Sequence, residues 1–334
     1  MSSRSEADRV NVKWFASQAI NWSFQVNHFP PTVPFMAGSS PNLMRGALTA
    51  ACAFALVGSL VAASDVVESY PLPAGQALRY LLAAVVLVLL ARGRLPRLRA
   101  REALGLAALA ATGLVLFNLF VIEGVRETDP ATVGVIVGCV PVVLAVAGPL
   151  LARRAVSARV VAAAVVVAAG AAGVQWTDGG ITVAGLLFAL GALGCEACFS
   201  LLAAPHLERL GALAVSAYAC LFAVPMLAAW SVIADGPFLP APTSEQAAAI
   251  AYLALAVTAG GFVCWYTAVG LLGVERAGLF SGLLPVSALA CSAALGVADV
   301  TPGRLAAVAV VAAGITLGMR AAAPRAPAAA PAGA

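Results

Sequence analysis

Residues 134–170, GVIVGCVPVVLAVAGPLLARRAVSARVVAAAVVVAAG, and residues 278–314, GLFSGLLPVSALACSAALGVADVTPGRLAAVAVVAAG, decide the fold. The second stretch repeats the punctuation of the first after 144 residues. Gly134, Gly138 and Pro141 fall on Gly278, Gly282 and Pro285, and Val166, Val167, Ala168, Ala169 and Gly170 fall on Val310, Val311, Ala312, Ala313 and Gly314. Each copy is a pair of long apolar segments, and an odd number of such segments separates equivalent positions. If the segments cross a membrane, the second copy crosses in the opposite direction to the first. Inverted repeats of this kind recur in secondary transporters, with the substrate held near the midplane where the halves meet.

Working outward, the 334 residues are 62% hydrophobic and 10% charged, with a mean hydropathy of +0.98. Soluble domains carry about 25% charged residues, so a water-soluble core of this size is excluded. At roughly 20 apolar residues per span, the chain has room for about ten. The apolar runs predict an all-α integral membrane fold of ten transmembrane helices as two inverted five-helix repeats. The helices are expected near 46–64, 72–91, 103–122, 130–152, 157–175, 182–204, 212–233, 247–271, 275–297 and 302–320. A transmembrane β-barrel would alternate with period two, and these runs do not.

The net charge of +4 is a signal of topology. With the amino terminus in the cytoplasm, 16 of the 19 basic residues fall on cytoplasmic segments, whereas Arg126 and Arg304 face outward and Arg79 lies within the second span. The excess of basic residues in short inner loops fixes this orientation, with both termini cytoplasmic. The outer loops are acidic instead, among them Asp65, Glu127, Asp129, Asp178, Asp235 and Asp299. No nucleic-acid surface is implied. Eighteen of the basic residues are Arg and alanine is abundant, as in a GC-rich bacterial genome, which points to a bacterial inner (plasma) membrane.

Residues 1–44 carry Asn, Gln, Pro and scattered aromatics without an apolar run, and are expected to be a disordered cytoplasmic tail. They lack the layout of a signal peptide. Met36 or Met44 would give a start directly before the first span. Residues 321–334 are Pro/Ala-rich and expected to be disordered. Between the tails lies one membrane domain in two halves, 46–176 and 180–320. All seven cysteines sit in apolar spans and read as small buried hydrophobes rather than a disulfide framework. Cys195 and Cys198 form a CxxC with no further Cys/His cluster beside it, so neither a metal nor a cofactor is implied.

Residues 261–320, GFVCWYTAVGLLGVERAGLF and onward, resemble the second repeat of the EamA family of the drug/metabolite transporter superfamily. The earlier run LVLFNLFVIEGVRETDPATVGVIVGCVPVV resembles the first, and GQALRYLLAAVVLVLLA is similar to that family's Arg-containing second helix. The resemblance covers about 46–320. It implies ten helices in two inverted repeats, a central cavity lined mainly by helices 1, 3, 4, 6, 8 and 9, and export or exchange of small metabolites, amino acids or drugs. The family often closes helices 4 and 9 with Gly-Glu. Here those places read LARRAVS and LGVADVT, so the first carboxylate is absent and Asp299 stands in for the second.

Glu196, within GALGCEACFSLLAAP of the sixth span, is the sharpest candidate. An ionised carboxylate at that depth is costly, so it faces a watery cavity, pairs with a base, or holds a proton. It lies roughly opposite Gly58 and Ser59 by repeat position. Arg79 is either a partner for Glu196 or for an anionic substrate, or a side chain that snorkels to the outer interface; snorkelling is the preferred reading. Trp265 and Tyr266 in helix 8, with Phe117 and Asn118 in helix 3, could line the cavity or pack against lipid. Pro141 and Pro285 bend helices 4 and 9, while Gly134, Gly138, Gly278 and Gly282 permit close packing there. Gly314 and Gly318, with the run AAGAAG in helix 5, form either a homodimer face or the contact between the halves.

The absence of a GxxxxGK[ST] loop leaves an ion or solute gradient as the energy source, most plausibly protons through Glu196. The competing classes are a passive channel and a membrane-embedded enzyme. A channel would need a charged or carbonyl-rich filter. An enzyme would need convergent catalytic groups, and the two histidines, His28 and His206, both lie outside the spans as expected above.

Overall fold

Ten helices in the described residues are long and apolar enough to cross a membrane. In order they are α1 (Pro41–Ala63), α2 (Leu72–Leu90), α3 (Ala100–Glu127), α4 (Pro130–Leu151), α5 (Ala158–Gln175), α6 (Val183–Leu201), α7 (Ala204–Ala234), α8 (Ser244–Leu272), α9 (Val274–Ala294) and α10 (Pro302–Arg320). The computed structural model describes residues 40–68, 70–175, 180, 182–236 and 240–321. Of the tails expected at 1–44 and 321–334, residues 1–39 and 322–334 lie outside the described residues. Helix already begins at Ser40, so residues 40–44 belong to the first helical segment rather than to the tail.

Local chemistry fixes where most of the even-numbered helices start. The Asp129 carboxylate accepts from the Thr132 N–H at 3.1 Å, with Pro130 at the first helical position. Thr182, Thr243 and Thr301 accept from the N–H of Gly185, Gln246 and Arg304. Two helices run further than hydropathy alone suggests. α3 continues through Glu123, Arg126 and Glu127 because the Glu123–Arg126 pair, at 2.7 Å, sits one turn apart on the helix surface. α7 begins at Ala204, with a break at Gly211 (φ 76°, ψ 163°) between its first turns and its main length.

Several helix pairs recur when the two halves are exchanged, although among the described residues α7 on α8 has no comparable contact of α2 on α3. α5 packs on α10 and α2 on α7, and each pair maps onto itself. α1 on α8 exchanges with α3 on α6, and α1 on α9 with α4 on α6. The α5–α10 contact is reciprocal in its atoms. A Cβ on Gly170 would stand 2.8 Å from the Val311 nitrogen, and one on Gly314 would stand 2.9 Å from the Val167 nitrogen. Gly170 and Gly314 are 144 residues apart, as are Val167 and Val311. The small-residue stripe of these helices therefore joins the halves of one chain, and a homodimer through α5 and α10 would have to use their outer faces.

Polar contacts stitch the halves at both ends of the bundle. At the end rich in arginine, Arg209 Nε donates to Glu102 Oε1 at 2.6 Å, its Nη2 also reaches Glu102, and Arg154 pairs with Glu275 at 2.8 Å. At the opposite end Thr128 donates to the Gly180 carbonyl and Thr182 to that of Glu127. Two tyrosines complete the set. Tyr70 donates to the Pro240 carbonyl at 2.8 Å and Tyr218 to the Pro96 carbonyl at 2.7 Å. Pro96 and Pro240 are themselves 144 residues apart, one at each end of the α2–α7 pair.

Candidate functional site

Glu196, Phe199 and Ser200 stand at i, i+3 and i+4 on α6, so they share one face. Phe262, Trp265 and Tyr266 do the same on α8. The two faces meet. Phe199 lies 5.0 Å from Phe262 and 5.1 Å from Tyr266 between ring centroids, and Tyr80 of α2 lies 6.3 Å from Phe262. Phe54 of α1 meets Trp265 edge-on at 5.2 Å. Spacings of this order are those at which aromatic pairs attract beyond their area burial. Trp265 donates its indole N–H to Ser200 at 3.2 Å, and Tyr266 its hydroxyl to the Phe199 carbonyl at 3.4 Å.

Glu196 borders this cluster half-buried. The described ion pairs, Arg126–Glu123, Arg154–Glu275 and Arg209–Glu102, leave it out, and no described side chain hydrogen-bonds to it. Phe199, one turn along α6 from Glu196, packs on Phe262 and Tyr266 of α8, Phe262 meets Tyr80 of α2, and Gly113 of α3 lies against Phe199. One neighbourhood thus draws on α2, α3, α6 and α8.

Arg79 turns into the bundle rather than toward the interface. Its Nε donates to Thr258 Oγ1 at 2.6 Å, and its guanidinium lies 5.6 Å from the centroid of the Tyr80 ring. Thr258 is fully buried, so the snorkelling expected from sequence does not occur. Thr258 belongs to a π-helical segment of α8, Leu253–Gly260, and α3 carries another at Ala110–Leu116. The two coincide on the 144-residue offset to within one residue. Such segments widen a helix and free backbone acceptors, and they gather at functional sites. In α3 the Asn118 amide donates to the Leu114 carbonyl of that segment at 2.6 Å. Gly113, also within it, lets α6 come close: a Cβ there would stand 3.1 Å from the Phe199 Cα.

The other sequence candidates divide. Trp265, Tyr266 and Asn118 join the Glu196 neighbourhood. Phe117 is half-buried and outside the aromatic cluster. Ser59 bonds Tyr252 at 2.6 Å, and Tyr252 precedes Trp265 by 13 residues, roughly 20 Å along α8. On the 144-residue offset Glu196 answers to Cys52 rather than to Gly58 or Ser59. Pro141 and Pro285 do interrupt their helices. α4 tightens at Gly138–Cys139, with Cys139 N–H bonding the Ile136 carbonyl, and α9 runs as 3₁₀-helix over Gly278–Gly282. Gly278 accommodates Leu144 of α4, Gly282 faces Val167 and Val311, and Gly134 faces Gln175. Tyr80, Phe199, Phe262 and Ser200 belong to this neighbourhood and were not singled out from the sequence.

Tyr80, Trp265 and Tyr266 are all buried. Two cavities open at the arginine-rich end. One, of about 210 Å³, is lined by Arg45, Leu207, Ala212, Tyr266, Thr267, Gly270 and Leu271, and so reaches from that end to the aromatic cluster. The other, of about 310 Å³, lies between α5 and α10.

Comparison with known proteins agrees with this architecture. A solved crystal structure superposes with a TM-score of 0.70 at 19% identity, over 82% of this chain and 96% of that one, which speaks to the fold alone. The uncharacterized transporter YetK of Bacillus subtilis (strain 168) is 26% identical over 276 residues, spanning 79% of this chain and 84% of that protein. The model of the EamA-like transporter family matches twice, over residues 44–176 and 183–320. Two matched segments that together span nearly all of the membrane-crossing helices establish that the chain is a multi-pass membrane protein belonging to the EamA-like transporter family.

Proposed function

We propose that the protein is a proton-coupled secondary carrier that exports small amphipathic amines, amino acids among them, by alternating access. The observation that carries this is Glu196: a carboxylate that no described side chain pairs with, beside aromatic faces, inside a membrane-crossing helix. An ammonium group would pair with the carboxylate while its apolar part stacks on Tyr80, Phe199 and Tyr266. Proton and ammonium compete for one anion, so one must leave as the other arrives, and that exclusion is the coupling.

The cavity that ends at Tyr266 supplies the route from the arginine-rich end, which the positive-inside rule makes cytoplasmic. The reciprocal α5–α10 contact between the two halves supports rocking of one about the other, as in carriers built from inverted repeats. Pro141 and Pro285, each at a helix interruption, serve as hinges.

The test is proton release from purified protein in weakly buffered detergent on addition of an aromatic-amine and amino-acid panel, for wild type and Glu196→Gln. The expected result is release with wild type and none with the variant, whose apparent affinity falls at least about tenfold. Binding detected by thermal shift without proton release in either protein would overturn the coupling and leave an exchanger or a uniporter.

A further inference from the structure

The 310 Å³ cavity between α5 and α10 plays no part in the Glu196 site. Its walls are Ala162, Ala163, Val166, Leu317 and Ala321, with Arg159 and Arg320 at its mouth. Arg159 is the second residue of α5 and Arg320 the last of α10, so both guanidinium groups sit at the arginine-rich end. Both residues are exposed. The ion pairs of that end are Arg154–Glu275 and Arg209–Glu102, and neither uses Arg159 or Arg320. The walls are apolar along both α5 and α10, with two positive charges at one end.

We propose that this cavity is a binding site for an anionic phospholipid, the phosphate between Arg159 and Arg320 and an acyl chain along Ala162, Val166 and Leu317. Basic pockets between transmembrane helices on the cytoplasmic side take such headgroups. A zwitterionic lipid offers the same chain without the net charge. Residues 322–334 include Arg325 and no acidic side chain. The repeat does not dictate the arginines. Exchange of the halves carries Arg159 to Gly303 and Arg320 to Trp176, so the charge belongs to one membrane face alone.

Thermal unfolding of the full chain in detergent, with phosphatidylglycerol, phosphatidylcholine or inorganic phosphate added, tests the site. Ligand at ten times its Kd raises Tm by about 3 °C. Wild type is expected to show that shift with phosphatidylglycerol and at most a third of it with phosphatidylcholine. Arg159→Ala/Arg320→Ala should unfold within about 2 °C of wild type without lipid, since both side chains are exposed, and should lose most of the phosphatidylglycerol-specific shift. Ala162→Trp, which fills the cavity and leaves the charges in place, should lose it too. Full retention of the shift by the double variant, or equal shifts with the two lipids, would overturn the proposal. An equal shift with inorganic phosphate would also overturn it, by reducing the site to a free-anion site.

Discussion

Trp265 does two jobs that separate by substitution. Trp265→Phe keeps a ring against Phe54 and deletes the indole N–H that Ser200 accepts. Its expected cost is about 1 kcal/mol, against about 3–5 kcal/mol for Trp265→Ala, which also empties a buried site. Denaturant unfolding in detergent reads both. Glu196 was legible in the sequence because a carboxylate inside an apolar run has few innocent explanations. Tyr80 and Phe199 were not, since an aromatic residue in an apolar span looks the same whether it faces lipid or its neighbours. Arg79 was misread for a related reason: the sequence shows how far a guanidinium is from the interface, but not that Thr258 waits inside for it. Arg79→Lys keeps the charge and loses the directed Nε bond, so a measurable loss of thermal stability is expected, roughly 1 kcal/mol.

At the level of elements, glycine spacing turns into helix distance. Gly314→Ala drives a methyl group against the backbone of α5, which cannot yield as a flexible side chain would. A loss of about 1–3 kcal/mol is expected. Gly194→Ala is the control, because a Cβ there meets nothing within 4 Å. In a helix interior it should be neutral or stabilising by about 0.5–1 kcal/mol. Comparing the two by thermal shift distinguishes a packed glycine from an idle one. Helix existence was readable from hydropathy. The ends were less so, since the hydropathy of α3 falls off where Glu123 and Arg126 begin while the backbone continues. The π-helical segments had no signature at all: AATGLVL is an ordinary apolar run, and only packing with its neighbours, such as Phe199 against Gly113, selects the wider turn.

For the molecule as a whole, the tyrosine contacts at the two ends of the α2–α7 pair are the natural points to probe. Tyr70→Phe and Tyr218→Phe each remove one hydroxyl from a proline carbonyl. Each should cost about 1 kcal/mol, and in a rigid protein the double variant should show their sum to within about 0.5 kcal/mol. A clear departure from additivity in equilibrium unfolding would mean that the two ends are strained against each other through the domain. The paired π-helical segments have a different consequence, for the length of the chain. A π-bulge is an α-helix holding one residue too many, with the flanking turns still in register. Deleting a residue within Ala110–Leu116 or Leu253–Gly260 should therefore leave Asn118 or Trp265 facing inward. The same deletion a turn or two away would swing everything beyond it by about 100°. These are the two places where α3 and α8 can shorten without turning their functional faces to the lipid.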